Sequence, residues 1–208
     1  MRILALFILL FIVNVSKGQT YGNEWINYSQ QYFNFPIYNT GIHRVNYAEL
    51  NTSLSNNGIL ISTINTDNFQ IFGRESEVFI NVNDGGDNTM DPGDYIEFYA
   101  EKNDGWLDGN LYESLEAQPD QYYSLFNDTL QYYFTWNTAG DNKRIYQETD
   151  INYNAYTSID YCWKKNYVNY SDEYNEGPKF NALSSPVYSL GEGWASSPYT
   201  LGGANTST

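Results

Sequence analysis

Residues 94–100 (DYIEFYA) alternate with a period of two: Ile96, Phe98 and Ala100 fall on one side, and Tyr95, Glu97 and Tyr99 on the other. This pattern constrains the chain most, because it is the mark of a strand with one buried face and one open face. The side-chain inventory agrees. There are 21 Tyr, 11 Phe and 5 Trp against 10 Lys plus Arg, and rings of this kind suit pleated, half-buried surfaces where they pack across neighbouring strands.

The same reading extends along the chain. In residues 40–47, His43, Val45 and Tyr47 share one strand face and Ile42, Arg44 and Asn46 the other, which puts His43 beside a core or at its rim. Residues 48–54 suit a helical turn or short helix, and Asn56-Asn57-Gly58 resets the chain direction. Two strands are expected at residues 69–72 and 78–82 around Gly73-Arg74, then a polar loop at 84–93 (DGGDNTMDPG) closed by Pro92-Gly93. Residues 101–121 lack periodicity and make a long connection, which in a compact domain is more often functional or specifically packed than trivial. Residues 130–136 (LQYYFTW) return to strand character, residues 137–142 turn the chain toward 143–146, and residues 161–170 offer another strand. The expected fold is all-β: an antiparallel, β-sandwich-like domain with long loops.

The N-terminus reads as a signal peptide. Met1-Arg2 gives a positive start, residues 3–13 (ILALFILLFIV) an apolar run and residues 14–18 a polar exit, with cleavage expected after Gly18. An 11-residue run is too short to span a bilayer as a helix, which takes about 20 residues. No later segment is apolar enough to do so. The alternative is a buried N-terminal helix. The domain plan is therefore a signal peptide at 1–18, a β-sandwich-like domain at 19–170, and a linker or the start of an interdomain connection at 171–208, where Pro, Gly, Asn and Ser dominate. The product is expected to be secreted or held at the cell surface.

Charge and sulfur narrow the function. Removing Arg2 and Lys17 with the signal takes the net charge from −15 to −17. A chain this negative repels nucleic-acid backbones. One cysteine closes no internal disulfide, so stability rests on packing, or on a bound cation or partner. Cys162 lies between Tyr161 and Trp163, a setting that suits a buried thiol. Its use as a nucleophile needs a base, and His43 is the only imidazole in the sequence.

Several blocks carry a family resemblance. Asp94-Tyr95-Ile96-Glu97-Phe98-Tyr99 and Lys102-Asn103-Asp104-Gly105-Trp106-Leu107-Asp108 are two of them. Gly41-Ile42-His43-Arg44-Val45-Asn46-Tyr47, Asn68-Phe69-Gln70-Ile71-Phe72-Gly73 and residues 119–136 are three more. Together they resemble the N-terminal β region of gingipain-like cysteine peptidases, including PorU-like sortases of the type IX secretion system in Bacteroidota, over roughly residues 23–194. In that family a catalytic domain with a His and a Cys follows this region. The surroundings of His43 and Cys162 do not match its catalytic motifs. The resemblance thus implies a non-catalytic leading domain that supports or packs on a peptidase domain, with no catalytic or cofactor-binding residue of its own. The alternative partner is a surface protein or glycan, which makes the chain a carbohydrate or cell-surface binding module.

Four further patterns are candidate sites. Asp84, Asp87, Asp91 and Asp94 crowd one Gly-rich loop and suggest calcium, although their spacing departs from an EF-hand and the competing reading is a solvated hairpin turn. Glu97 with Glu101, or Asp104 with Asp108, supply the two carboxylates a glycosidase needs, but carboxylates this abundant make such pairs common by chance. Trp106, Trp136, Trp163, Tyr122 and Tyr123 are stacking platforms or core rings, with Trp106 the most conspicuous in its polar loop. Asn27, Asn51, Asn127 and Asn169 begin glycosylation-type triplets, which leave the function open.

Overall fold

The computed structural model describes residues 22–198, apart from 119, 139, 147, 150, 153, 155–156, 158, 163–167, 169, 182 and 184–186. The expected signal peptide and most of the expected strand at 161–170 lie outside the described residues. Within them, nine strands form three small open sheets. β1 (Phe33–Ile37), β3 (Phe69–Gly73), β4 (Ser76–Val78) and β7 (Leu130–Trp136) make one sheet in the order β1-β7-β3-β4. β2 (Gly41–Asn46), β5 (Ile80–Asn83) and β6 (Tyr95–Ala100) make a second in the order β2-β6-β5. β8 (Glu173–Asn175) and β9 (Gly193–Ala195) form a third, inside the segment read as a connection. All six strand pairings are antiparallel.

The all-β sandwich expectation is overturned. The fold is mixed, because α1 (Tyr47–Ser55) packs Leu50 and Leu54 into the same core as the first two sheets. Nine residues are too few for a helix to persist in water by itself, so that apolar contact holds α1 in place. Its start is fixed by Glu49, whose carboxylate accepts the Asn46 N–H at 2.9 Å. Its end is fixed by Gly58, whose φ of +75° returns the chain so that the Ile59 N–H reaches the Leu54 carbonyl at 3.0 Å.

The core between the sheets is aromatic. Phe98 is fully buried and meets Phe35 edge-on at 5.8 Å and Tyr132 at 6.1 Å, which joins the second sheet to the first. Phe69 and Phe134 meet edge-on at 5.1 Å within the first sheet. Each such side chain stabilises the fold by about 1.5–3 kcal/mol relative to exposure. The Tyr132 ring lies across Gly73, where an added Cβ would stand 2.1 Å from it, and so the strand needs glycine there. The β3–β4 turn holds Arg74 and Glu75 at φ of 51° and 61°, costly for residues other than glycine. Arg74 offsets this with ion pairs to Glu101 at 3.0 Å and Asp104 at 2.8 Å.

The outer face of the first sheet is also covered. Trp25 stacks on Phe72 at 5.3 Å, meets Tyr133 at 5.3 Å and sets its edge against Tyr32 at 5.7 Å. Beside it, the Gln30 amide donates to the Gln70 side chain at 3.1 Å and to the Trp136 carbonyl at 2.8 Å. Gln70 and Thr135 are consequently buried with their polar atoms paired. Among the described residues, no such cover lies over the second sheet.

Candidate recognition face

The open face of the second sheet is set by register. Ile42 stands opposite Tyr99, Arg44 opposite Glu97 and Asn46 opposite Tyr95, while on the other side of β6 Asn81 faces Glu97 and Asn83 faces Tyr95. Alternation sends all eight side chains outward and leaves Val45, Val82, Ile96 and Phe98 to the core. Directly opposed residues have Cβ atoms only about 5 Å apart, so Ile42 and Tyr99, 69% and 51% exposed, form one apolar patch.

The polar part of this face is pre-arranged. Arg44 donates to Glu97 Oε1 from Nη2 at 2.7 Å and from Nε at 3.1 Å. Its guanidinium carbon lies 3.9 Å from the Tyr95 ring centroid, and Asn83 donates to the Tyr95 hydroxyl at 2.9 Å. Hydrogen bonding to Glu97 holds the Arg44 pKa above its ordinary value. The result is a fixed row of carboxylate, guanidinium, ring and amide.

One side of the face rises into a wall. Ile145 and Tyr146, together with the Asp84-Gly85-Gly86 turn, border an open hollow of about 790 Å³ floored by Ile42, Asn81, Asn83 and Glu97. Arg144 anchors that wall. Its guanidinium donates to the carbonyls of Phe69 at 3.0 Å, Thr66 at 3.0 Å, Asp67 at 2.7 Å and Lys143 at 3.0 Å, and burial lowers its pKa. The Ile145 N–H then bonds the Ile80 carbonyl at 2.9 Å, tying residues 143–146 to β5. In the sequence, residues 143–146 showed only a return toward strand; nothing there marked Arg144 as an anchor.

The other sequence candidates fall elsewhere. His43 sits half-buried on the inner face of β2, as its strand position implied, with Nε2 2.8 Å from the Asn39 carbonyl and its ring stacked on Phe98 at 6.1 Å. Cys162 is exposed, contrary to the burial expected from its aromatic neighbours. The reason is visible in Tyr161, itself 71% exposed: a ring next in sequence shields a thiol only where the segment packs. Trp163 lies outside the described residues.

Three of the four loop carboxylates accept hydrogen bonds from the protein itself. Asp84 accepts from the Thr66 hydroxyl and the Gly86 N–H, Asp87 from the Thr89 N–H and Asp94 from the Asp91 N–H. Among the described residues, no three His, Cys, Asp or Glu side chains converge as a metal site. The carboxylate pairs are likewise engaged: Glu97 by Arg44, Glu101 and Asp104 by Arg74, and buried Asp108 by the Ser124 hydroxyl at 2.8 Å and the Leu125 N–H at 3.2 Å.

The aromatic candidates divide. Trp106 is half-buried with the Arg74 guanidinium 5.8 Å from its ring, and Trp136 is half-buried on Phe33 at 6.2 Å. Tyr122 is 46% exposed, and Tyr123 is half-buried. Of the glycosylation-type triplets, Asn27 and Asn127 use their side-chain oxygens to close local turns onto Ser29 and Thr129, Asn51 lies in α1, and Asn169 is outside the described residues.

No helix of the described residues is long and apolar enough to cross a membrane. No protein-family model matches the chain, and neither a curated protein nor a solved structure does.

Proposed function

We propose that the chain is a non-catalytic recognition domain of an exported protein, which packs on a gingipain-like peptidase domain through the outer face of the β2-β6-β5 sheet. The observation that carries this reading is the contrast between sheets: the chain covers the outer face of one with its own Trp25 segment and leaves Ile42 and Tyr99 bare on the other. A patch of tyrosine, arginine and an aliphatic side chain, ringed by amides, has the make-up of a protein contact centre. The ordered blocks that resemble the leading β region of gingipain-like peptidases support the choice of partner.

The test is size-exclusion chromatography of the purified chain with a separately produced gingipain-like catalytic domain from the same source. Co-elution that Ile42→Asp abolishes supports the reading. Independent elution of the two at concentrations of about 10 µM, where an interface of standard size holds together, overturns it.

A glycan is the second reading, favoured by the planar amides of Asn81 and Asn83 beside Tyr95 and Tyr99. Retention on neutral polysaccharide that Tyr99→Ala removes would support it. The net charge of −15 disfavours acidic polysaccharides as the ligand.

A further inference from the structure

An aromatic pocket lies away from the sheet face, where the 3₁₀ turns that follow β6 meet the third sheet. Tyr112, Tyr123, Tyr170 and Trp194 line one small pocket of about 190 Å³, with Asp120 on its wall. Two backbone hydrogen bonds close the corner: the Glu113 N–H donates to the Tyr188 carbonyl at 2.9 Å, and the Tyr188 N–H donates to the Leu111 carbonyl at 2.8 Å. The rings are held from behind. Tyr112, 6% exposed, packs on Tyr188 at 5.3 Å, and Trp194 takes Tyr174 against its ring at 5.3 Å, nearly perpendicular.

The charged groups around the pocket are mostly acidic, with Lys102 the exception. Asp108 lies buried next to this corner, and Glu192 accepts the Tyr174 hydroxyl at 3.0 Å. The Tyr112 phenol is pushed up to about 12, by burial first and then by Asp108, Tyr188 and Glu192. The chain's own chemistry already uses one of these rings in the same way, since the Lys102 ammonium lies 5.8 Å from the Tyr123 centroid. Ring faces carry negative charge density and attract cations, most strongly when the cation is desolvated among several rings.

We propose that the pocket formed by Tyr112, Tyr123, Tyr170, Trp194 and Asp120 binds an alkylammonium cation: a quaternary ammonium headgroup, free or carried on a trimethylated lysine side chain. Size argues for a headgroup, because pockets for drug-sized ligands run about 300–1,000 Å³. The rings supply the cation–π contacts and Asp120 the counter-charge. Shape alone does not select a cation; the four rings and Asp120 do, beside the aliphatic Leu125 and Val168 of the same lining. The proposal does not depend on the sheet-face reading.

Isothermal titration of the purified chain tests it, with three probes: choline, N-acetyl-trimethyllysine and 3,3-dimethyl-1-butanol, the uncharged analogue of choline. Choline or the trimethyllysine should bind at least about tenfold more tightly than the neutral analogue, and the stronger of the two identifies the source of the headgroup. Trp194→Ala should weaken binding about tenfold, Trp194→Phe should restore most of it, and Asp120→Asn should weaken it several-fold. Trp194 is 42% exposed, so its replacement leaves the fold in place, which circular dichroism of each variant verifies. Equal binding of the neutral analogue, heats indistinguishable from dilution with all three probes, or affinity unchanged in Trp194→Ala would each overturn the proposal.

Discussion

The two larger sheets share one core but treat their outer faces in opposite ways. On the β1-β7-β3-β4 sheet, Trp25 and Gln30 close over Phe72, Tyr133 and Gln70, so that rings and amides alike are satisfied within the chain. On the β2-β6-β5 sheet, Arg44, Glu97 and Tyr95 satisfy one another laterally and leave Ile42 and Tyr99 in solvent. The first arrangement stabilises the protein; the second spends little on stability and keeps a shaped surface available. A fold that covers one sheet with its own chain and leaves the other open separates a sealed face from a solvent-facing one.

Substitutions should reveal that division. The largest effect belongs to the shared core: Phe98→Ala should cost about 3–5 kcal/mol, read as a fall in the urea midpoint, and a loss under 1 kcal/mol would mean that the sheets do not meet through Phe98. Gly73→Ala comes next, at about 1–3 kcal/mol, because the new methyl group collides with the Tyr132 ring. Combining it with Tyr132→Ala should cost less than the sum of the two. Removing the cover with Trp25→Ala should cost about 2 kcal/mol, with Trp25 half-buried and in contact with three rings. Tyr99→Ala and Ile42→Asp on the bare face should change stability by no more than about 0.5 kcal/mol. Should Tyr99→Ala destabilise as much as Trp25→Ala, the proposed distinction between the faces fails.

A titration sharpens the same contrast. Burial lifts the Tyr132 phenol above its ordinary value of 10, against the opposing pull of the Glu101 N–H and Arg74. Below pH 10 the folded and unfolded chains both hold that proton, and this group adds no pH dependence. Above it the unfolded chain ionises first, binds fewer protons than the folded chain, and stability falls as pH rises. Urea midpoints on either side of pH 10 should show that fall, and Tyr132→Phe should remove part of it.

Much of the sheet core was legible in the sequence. Residues 94–100 gave a strand with the expected faces, and residues 130–136 a strand, because a period of two survives wherever one face is buried. The helix after Asn46 and the turn at Gly58 were legible from local chemistry alone. The split of residues 76–83 was not. Val78, Ile80 and Val82 keep one unbroken alternation, yet the chain changes partners at Phe79, leaving β4 beside β3 and placing β5 beside β6. Alternation reports which way a side chain points and is silent about which sheet it joins. The sandwich expectation failed for a related reason, since the pattern of α1 did not tell that Leu50 and Leu54 would enter the same core. Of the candidate face, Tyr95, Glu97 and Tyr99 were placed together by the sequence; the Ile145–Tyr146 wall was not, because Arg144 reaches backbone carbonyls that no residue pattern encodes.

The partner change at Phe79 is one of four such exchanges. The chain passes between the two larger sheets from β1 to β2, β2 to β3, β4 to β5 and β6 to β7, so neither sheet is a continuous stretch of polypeptide. The two are interlaced like a laced boot: loosening either draws on the other. A strand lost from one cannot be confined to it, and the open face therefore inherits its rigidity from the covered sheet beneath it.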